Sequence, residues 1–182
     1  MKQFLLAPFQ HAETDRLYLR PLQGKDVIAL HVMRIHPAVN EFLDRPVPET
    51  EADSRDFLRK IQAGYAENKW LYWAIERKEK PGLIGTICLW QFSEDMRSAE
   101  LGYELHPAYQ GRGFMGESLR KVMEIAFSHL PVSLLKAVTR ADNVPSYSLL
   151  QKAGFQFIRM LHPEEKAEEE QHIELALYSR FK

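Results

Sequence analysis

Three glycines, Gly111, Gly113 and Gly116, give the spacing G-x-G-x-x-G within "ELHPAYQGRGFMGESLRKVMEIAF", between a strand-like run and a helix-like one. Glycine lets a backbone turn sharply and approach a ligand closely, and the first N–H groups of a helix, with its dipole, attract anions. These residue types therefore point to a phosphate, and the surroundings decide whose. A dinucleotide site needs the glycines directly after the first strand and an acidic residue about 20 positions further on. Here "HPAYQ" intervenes, and twenty residues past Gly116 stands Lys136, inside an apolar strand. A P-loop fails too, because no Gly-Lys is followed by Ser or Thr. Taken alone, the motif fits a plain turn equally well, with Gly116 only packing.

Other residues that could do chemistry each have an ordinary reading beside the functional one. Glu100 and Glu104 are four apart on the strand-like "SAELGYELH", so their carboxylates share a face if no bulge intervenes; polar residues on a half-exposed strand do the same. Asn143 and Ser146 stand where a helix begins, as an N-cap and a first-turn residue commonly do. The single cysteine, Cys88, lies in the apolar run "LIGTICLW" and reads as core packing, and no disulfide framework is available. The seven histidines show no metal-ligand spacing, so no metal is expected. Trp70, Trp73 and Trp90 fall on predicted strands with no basic patch beside them, which speaks against nucleic acid.

The elements that must position these groups follow from periodicity. "RLYLRPL" alternates as a half-buried strand. Val27, Leu30 and Met33 predict a short helix over 26–34 with Asp26 as its cap, and "HPAVNEFLDRPVPE" reads as a loop. Phe57, Leu58 and Ile61 predict a helix from about Thr50 to Tyr65, ended by Gly64 and Asn68. "WLYWAIER", "GLIGTICLWQF" and "SAELGYELH" are strands whose short connections make them antiparallel neighbours. After the glycine loop, Leu119, Val122, Met123 and Ala126 mark a helix, and "SLLKAVT" is reached by that crossover, which favours a parallel neighbour. "NVPSYSLLQKAG" is a helix with Pro145 early and Gly154 as its stop, followed by the strands "FQFIRML" and "HIELALYSR". The acidic "HPEEKAEEEQ" between them reads as a solvated loop or, less simply, as an attractor for a cationic substrate.

A chain of 182 residues with 45% hydrophobic content fits one domain over 1–182. With 24 basic against 25 acidic side chains, no overall field draws it to nucleic acid or to an anionic membrane. No apolar run reaches the roughly 20 residues of a membrane span, and the N-terminus carries no cleavable leader pattern, so a soluble, cytoplasmic protein is expected.

Taken in order, "AELGYELHP", "AYQGRGFMGES", "LLKAVT" and "ADNVPSYSLLQKAGF" resemble the GNAT superfamily of acyl-CoA-dependent N-acetyltransferases. The resemblance is to its Rim-type branch, the ribosomal-protein N-terminal acetyltransferases and their relatives. "ETDRLYLRPL" is similar to that branch's first strand, and with Gly154-Phe155 the resemblance spans nearly the whole chain. It implies an α/β (α+β) fold with a mixed, mostly antiparallel sheet splayed at a central parallel strand pair and helices on both faces. The superfamily's loop pattern of Gln or Arg, two residues, Gly, one residue, then Gly or Ala falls on Gln110, Gly113 and Met115, where Met115 departs from the usual small residue.

By this resemblance acetyl-CoA is the co-substrate. Gln110, Gly111, Arg112, Gly113, Phe114, Met115 and Gly116 would hold its pyrophosphate, and the pantetheine arm would pair with the backbone near Leu105. Asn143 would bind that arm or orient the site, and Ser146 would face the sulfur as a proton donor. Other branches place a tyrosine seven residues after the asparagine, but Leu150 stands there, with Tyr147 as a nearby substitute. Acetyl transfer to an amine needs a neutral amine, a stabilised oxyanion and a protonated leaving thiol. Glu100 or Glu104 could take the amine proton, directly or through water. The implied reaction is N-acetylation of a primary amine, preferably the N-terminus of a ribosomal or other protein. Small amines such as polyamines, amino sugars or amino acids form one alternative, and a non-catalytic acyl-CoA sensor another. The acceptor channel is expected from "NEFLDRPVPET" and the acidic loop around Glu164 to Glu170.

Overall fold

One eight-stranded sheet carries the molecule, in the order β1-β2-β3-β4-β5-β6-β8-β7. The computed structural model describes residues 5–43, 45–167 and 173–182. Its elements are β1 (Ala12–Glu13), β2 (Leu17–Pro21), α1 (Val27–Arg34), α2 (Pro37–Asn40), α3 (Glu51–Ala66), β3 (Leu71–Arg77), β4 (Leu83–Trp90), β5 (Ser98–Leu105), α4 (Phe114–Glu124), β6 (Leu134–Arg140), α5 (Val144–Lys152), β7 (Gln156–Met160) and β8 (Leu175–Phe181). Every strand and every long helix expected from periodicity is present. The two-residue β1 and the four-residue α2, the latter within the stretch expected as a loop, are too short to show a period.

Strand β2 buries Leu17 and Leu19 and exposes Tyr18, as strict alternation requires. Two apolar layers cover the sheet. On one face α4 and α5 contribute Phe114, Met115, Leu119, Val122 and Leu150 against Leu101 and Leu105 of β5. On the other, Val27, Leu30 and Met33 of α1 and Leu58 and Ile61 of α3 pack with Ala74 and Leu83. Burying a side chain of this size contributes about 1.5–3 kcal/mol, so each layer is anchored by a handful of residues spaced three or four apart.

Two local expectations differ from the structure. Asp26 does not cap α1 with its side chain; the carboxylate accepts from Arg20 Nη1 at 2.7 Å and Nη2 at 2.8 Å, and from the Gln23 amide at 2.8 Å. Arg20 Nε also donates to Glu76 at 2.6 Å. A buried guanidinium between two carboxylates outcompetes a cap, because each charge would otherwise be unpaired away from water. Gly64 does not end α3. It is buried inside the helix with the Trp70 ring against it, leaving no room for a Cβ, and Trp70 Nε1 donates to the Ile61 carbonyl at 3.0 Å. The helix stops two residues later, before Asn68, which is left-handed at φ 57°.

The central strands position the site. β4 and β5 are antiparallel, pairing Thr86 with Glu104, Cys88 with Gly102 and Trp90 with Glu100. β5 and β6 are parallel, but their pairing covers only Ser98–Leu134, Ala99–Leu135 and Glu100–Lys136. Beyond that point β5 stays with β4 as far as Leu105, while β6 stays with β8 as far as Arg140. The two strands therefore splay apart, as the resemblance implied.

Candidate active site

The splay begins with unpaired backbone. His106 N donates to Ile84 O at 2.9 Å, so even-numbered residues of β5 turn their peptide groups toward β4. By alternation, the Leu101 carbonyl and the peptide groups of Tyr103 and Leu105 turn toward the opening, where β6 has left; the Leu101 N–H belongs to the last β5–β6 pair. Gln110 Nε2 takes one of these groups, donating to Leu105 O at 2.9 Å. The Leu105 side chain is itself buried.

The glycine loop stands at the end of the same strand. After a short turn over Pro107–Tyr109 and extended Gln110, Gly111 and Gly113 adopt φ 72° and 79°, left-handed values that disfavour a Cβ, and α4 begins at Phe114. Gly116 has no positive φ, and a Cβ there would meet only ordinary contacts at 3.6 Å and beyond. The first turn of a helix leaves its N–H groups without intrahelical partners, so the start of α4 offers donors and a positive dipole end to an anion. The side chains of Phe114 and Met115 are turned into the core, so from these two a phosphate could meet only backbone. The Arg112 side chain is exposed, and its carbonyl accepts from Arg16 Nη1 at 3.1 Å. Arg16 also lies over the Phe114 ring at 4.6 Å and donates through Nε to Glu117 at 2.6 Å. This clasp on the loop comes from 96 positions up the chain, a separation at which no local motif shows it.

Across the splay, Asn143 caps α5, its Oδ1 accepting from Ser146 N at 3.1 Å. The cap leaves the Asn143 NH2 available to donate to a ligand. The Ser146 hydroxyl is hydrogen-bonded to the Tyr103 hydroxyl at 2.9 Å, a link between the two limbs that spacing did not reveal. Burial pushes the Tyr103 phenol up to about 12, so it is protonated at neutral pH. Tyr147 packs against the core on the same side, and Leu150 is fully buried. The signal that could have found Tyr103 is parity: being odd-numbered, it shares the α4/α5 face with the helix that carries Ser146.

Glu100 and Glu104 share the opposite face of β5, toward α1 and α3. Glu100 is half-buried at the last β5–β6 pair, where the splay opens. Glu104 is 8% exposed and accepts from Arg34 Nη1 at 3.2 Å, Arg45 Nη2 at 2.7 Å and Thr86 Oγ1 at 3.3 Å. Burial pulls the Arg34 guanidinium down from its ordinary value while Glu104 opposes the shift. Cys88, on this face, is held protonated by burial, which raises its thiol to about 12. Among the described residues no cluster of His, Cys, Asp and Glu could hold a metal, and no helix is long and apolar enough to cross a membrane. Of the expected acceptor channel, Asp44 and residues 168–170 lie outside the described residues.

The arrangement is an open strand edge with a phosphate-suited helix start at one end, hydroxyls on one face and carboxylates on the other. Residues 16–156 match the family model for the acetyltransferase (GNAT) domain. The chain is 34% identical over 148 residues to the uncharacterized N-acetyltransferase YoaA of Bacillus subtilis (strain 168), covering 81% of this chain and 84% of that protein. Among solved structures, the microcin C7 self immunity acetyltransferase MccE, in complex with acetyl-CoA and AMP, aligns with a TM-score of 0.82 at 18% identity over 93% of this chain and 94% of its own. RimL, a ribosomal L7/L12 alpha-N-protein acetyltransferase in complex with coenzyme A, aligns at 0.80 and 19% identity over 92% and 95%. The structural likenesses speak for the fold, and the family match for descent. The chain belongs to the GNAT family of N-acetyltransferases.

Proposed function

We propose that the protein moves an acetyl group from acetyl-CoA to a primary amine, preferably the N-terminus of a protein or peptide. The observation that carries this is the end of β5–β6 pairing at Glu100 and Lys136 beside a helix start with two left-handed glycines. One ligand with a pyrophosphate at one end and an amide-bearing arm at the other would satisfy both features. The backbone amides from Gly111 to Gly116 would bind the pyrophosphate, with Arg112 in reach, and the arm would complete the open edge of β5 at Leu105, Tyr103 and Leu101. Asn143 would meet the arm through its NH2.

The chemistry follows from the two faces. The amine nitrogen attacks the thioester carbon, the C–N bond forms, and the carbonyl oxygen gains negative charge that a β5 amide in the splay can stabilise. The C–S bond then breaks and the sulfur takes a proton from Ser146, which regains one from the hydrogen-bonded, protonated Tyr103 as solvent restores the phenol. Tyr147, packed on the core, is the lesser donor. The amine loses its proton on the other face, where Glu100 is the carboxylate at the opening. An α-amine with a pKa near 8 is about one-tenth neutral at pH 7, so it needs little help, whereas a lysine needs much. The preference for an N-terminus is also supported by the fold shared with RimL, whose name records that class of acceptor.

The test is acetyl-CoA-dependent thiol release over peptides with different N-terminal residues and, separately, over polyamines, amino sugars and amino acids. Turnover of peptides over small amines is expected. Turnover confined to small amines would replace the acceptor class, and acetyl-CoA binding without turnover would replace the enzyme with a sensor.

A further inference from the structure

The segment between α1 and α3 crosses the open end of the splay and touches both limbs. Asn40 gathers it: Nδ2 donates to the carbonyls of Arg34 at 2.6 Å and His36 at 3.2 Å, and Oδ1 accepts from Arg45 Nη2 at 3.3 Å. Val39 pins it to the α1/α3 layer. On the β5 side, Arg45 reaches Glu104, and the His36 ring meets the His106 ring edge-on at 5.5 Å. On the β6 side, the Phe42 ring lies 5.7 Å from the guanidinium carbon of Arg140, which Asp142 holds in turn.

Glu104 is where these contacts converge. Its Oε1 accepts from Arg34 and Thr86, and its Oε2 from Arg45. Arg34 is fixed over the Phe57 ring of α3 at 3.9 Å, and Thr86 is hydrogen-bonded to the Tyr72 hydroxyl at 3.2 Å. A general base must offer a lone pair to the amine proton; Oε1 of Glu104 already accepts two hydrogen bonds, and what Oε2 can still offer lies beside the Arg45 guanidinium, where a cationic amine is repelled. Truncating either side of this tie would leave a charge short of its partner. The Arg45 contact, in contrast, is the only one of the three that comes from the crossing segment rather than from α1 or the sheet, so it is the one that can open without disturbing the layers.

We propose that Glu104 is a positioning residue that ties residues 36–43 and Arg45 across the splay and so sets how the acceptor amine reaches the thioester, and that it is not the base. This rests on the reading of the splay as the acetyl-transfer cleft. The tie defines the roof of the acceptor path: Arg45 and Phe42 stand over the opening, anchored to β5 and β6 respectively. An acceptor with residues following its amine would pass beneath and be held by them, whereas a small amine would not reach them. Weakening the tie therefore acts on acceptor recognition more than on the chemical step.

The test uses the full chain and two variants that break the same contact from opposite ends, Glu104→Gln and Arg45→Ala. The acceptor probes are a short peptide with a free N-terminal serine, and spermidine. Both variants are expected to raise KM for the peptide about tenfold with kcat changed less than about threefold. The acidic limb of the kcat–pH profile should persist, and amide hydrogen exchange should quicken over residues 36–43 but not over α4. A fall in kcat of about 10²-fold or more with loss of the acidic limb in Glu104→Gln alone would make Glu104 the base and overturn the proposal. Unchanged exchange over 36–43 in both variants would overturn it as well, whatever the kinetics. If neither probe is turned over by the parent protein, the acetyl-transfer reading is what has failed, and the exchange measurement still decides whether the tie exists.

Discussion

Tyr103 and Glu104 are adjacent in the chain and face opposite sides of the sheet, and their surroundings differ in kind. Tyr103 looks toward α4 and α5, where it makes a neutral hydrogen bond to Ser146 and is kept protonated by burial. Glu104 looks toward α1 and α3, where two arginines and a threonine hold it. A strand alternates its side chains, so one β5 residue step separates a face suited to donating a proton to a leaving group from a face built of paired charges. The first face needs freedom to exchange a proton. The second, apart from Glu100 at the opening, needs fixed geometry. In the proposed reading, the splay would let a single thioester be reached from both.

This contrast can be broken in several places. The largest effect is expected at the glycine loop, which serves the first face only: Gly113→Glu should abolish acetyl-CoA binding, since Gly113 is left-handed and a carboxylate there would repel the pyrophosphate. Calorimetry on the folded variant checks this, and retained affinity would remove the loop from the phosphate site. Next, Ser146→Ala and Tyr103→Phe should each lower kcat by about 10²-fold while leaving acetyl-CoA affinity near that of the parent protein. Equal turnover in either would remove that hydroxyl from the proton path. Because Tyr103 stays protonated up to about pH 12, it should add no alkaline limb to the kcat–pH profile between about pH 7 and 10.

On the second face the expected effects are on stability. Asp26→Ala leaves the buried Arg20 without one of its two carboxylates and should cost about 3–5 kcal/mol in denaturant unfolding, with little change in acetyl-CoA affinity once the protein is folded. Gly64→Ala forces a Cβ against the Trp70 ring and should cost about 1–3 kcal/mol. The smallest effect concerns Cys88: with its thiol raised to about 12 it carries about 10³-fold less thiolate than an ordinary cysteine, so alkylation near pH 8 should be slow in the native protein and fast only after unfolding. Rapid native alkylation would show that this face is open.

Much of the fold was legible because its signals are local. The alternation in "RLYLRPL", the short turns between β3, β4 and β5, and Gly154 at φ 84° after α5 each follow from a few adjacent residues. The parallel pairing of β5 with β6 followed from a single helical crossover. What stayed hidden were partners brought together from a distance. Glu104 meets Arg34 and Arg45 from 70 and 59 positions away, Ser146 meets Tyr103 from 43, and Arg16 meets Arg112 from 96. Asp26 looked like a cap because caps are local, and it is an ion-pair partner because Arg20 is buried beside it. Gly64 looked like a stop because glycine often is one, and it is a seat for Trp70. Spacing finds residues that could act together, but the side chain that completes each charge or hydrogen bond is chosen by the tertiary fold.

The central claim, that the splay between β5 and β6 receives acetyl-CoA, is tested most directly by amide hydrogen exchange of the full chain with and without acetyl-CoA. The account predicts new protection over 101–105 and 110–116, with residues 71–77 of β3 unchanged. Binding that left 101–105 and 110–116 unprotected, or protected a different region, would contradict it.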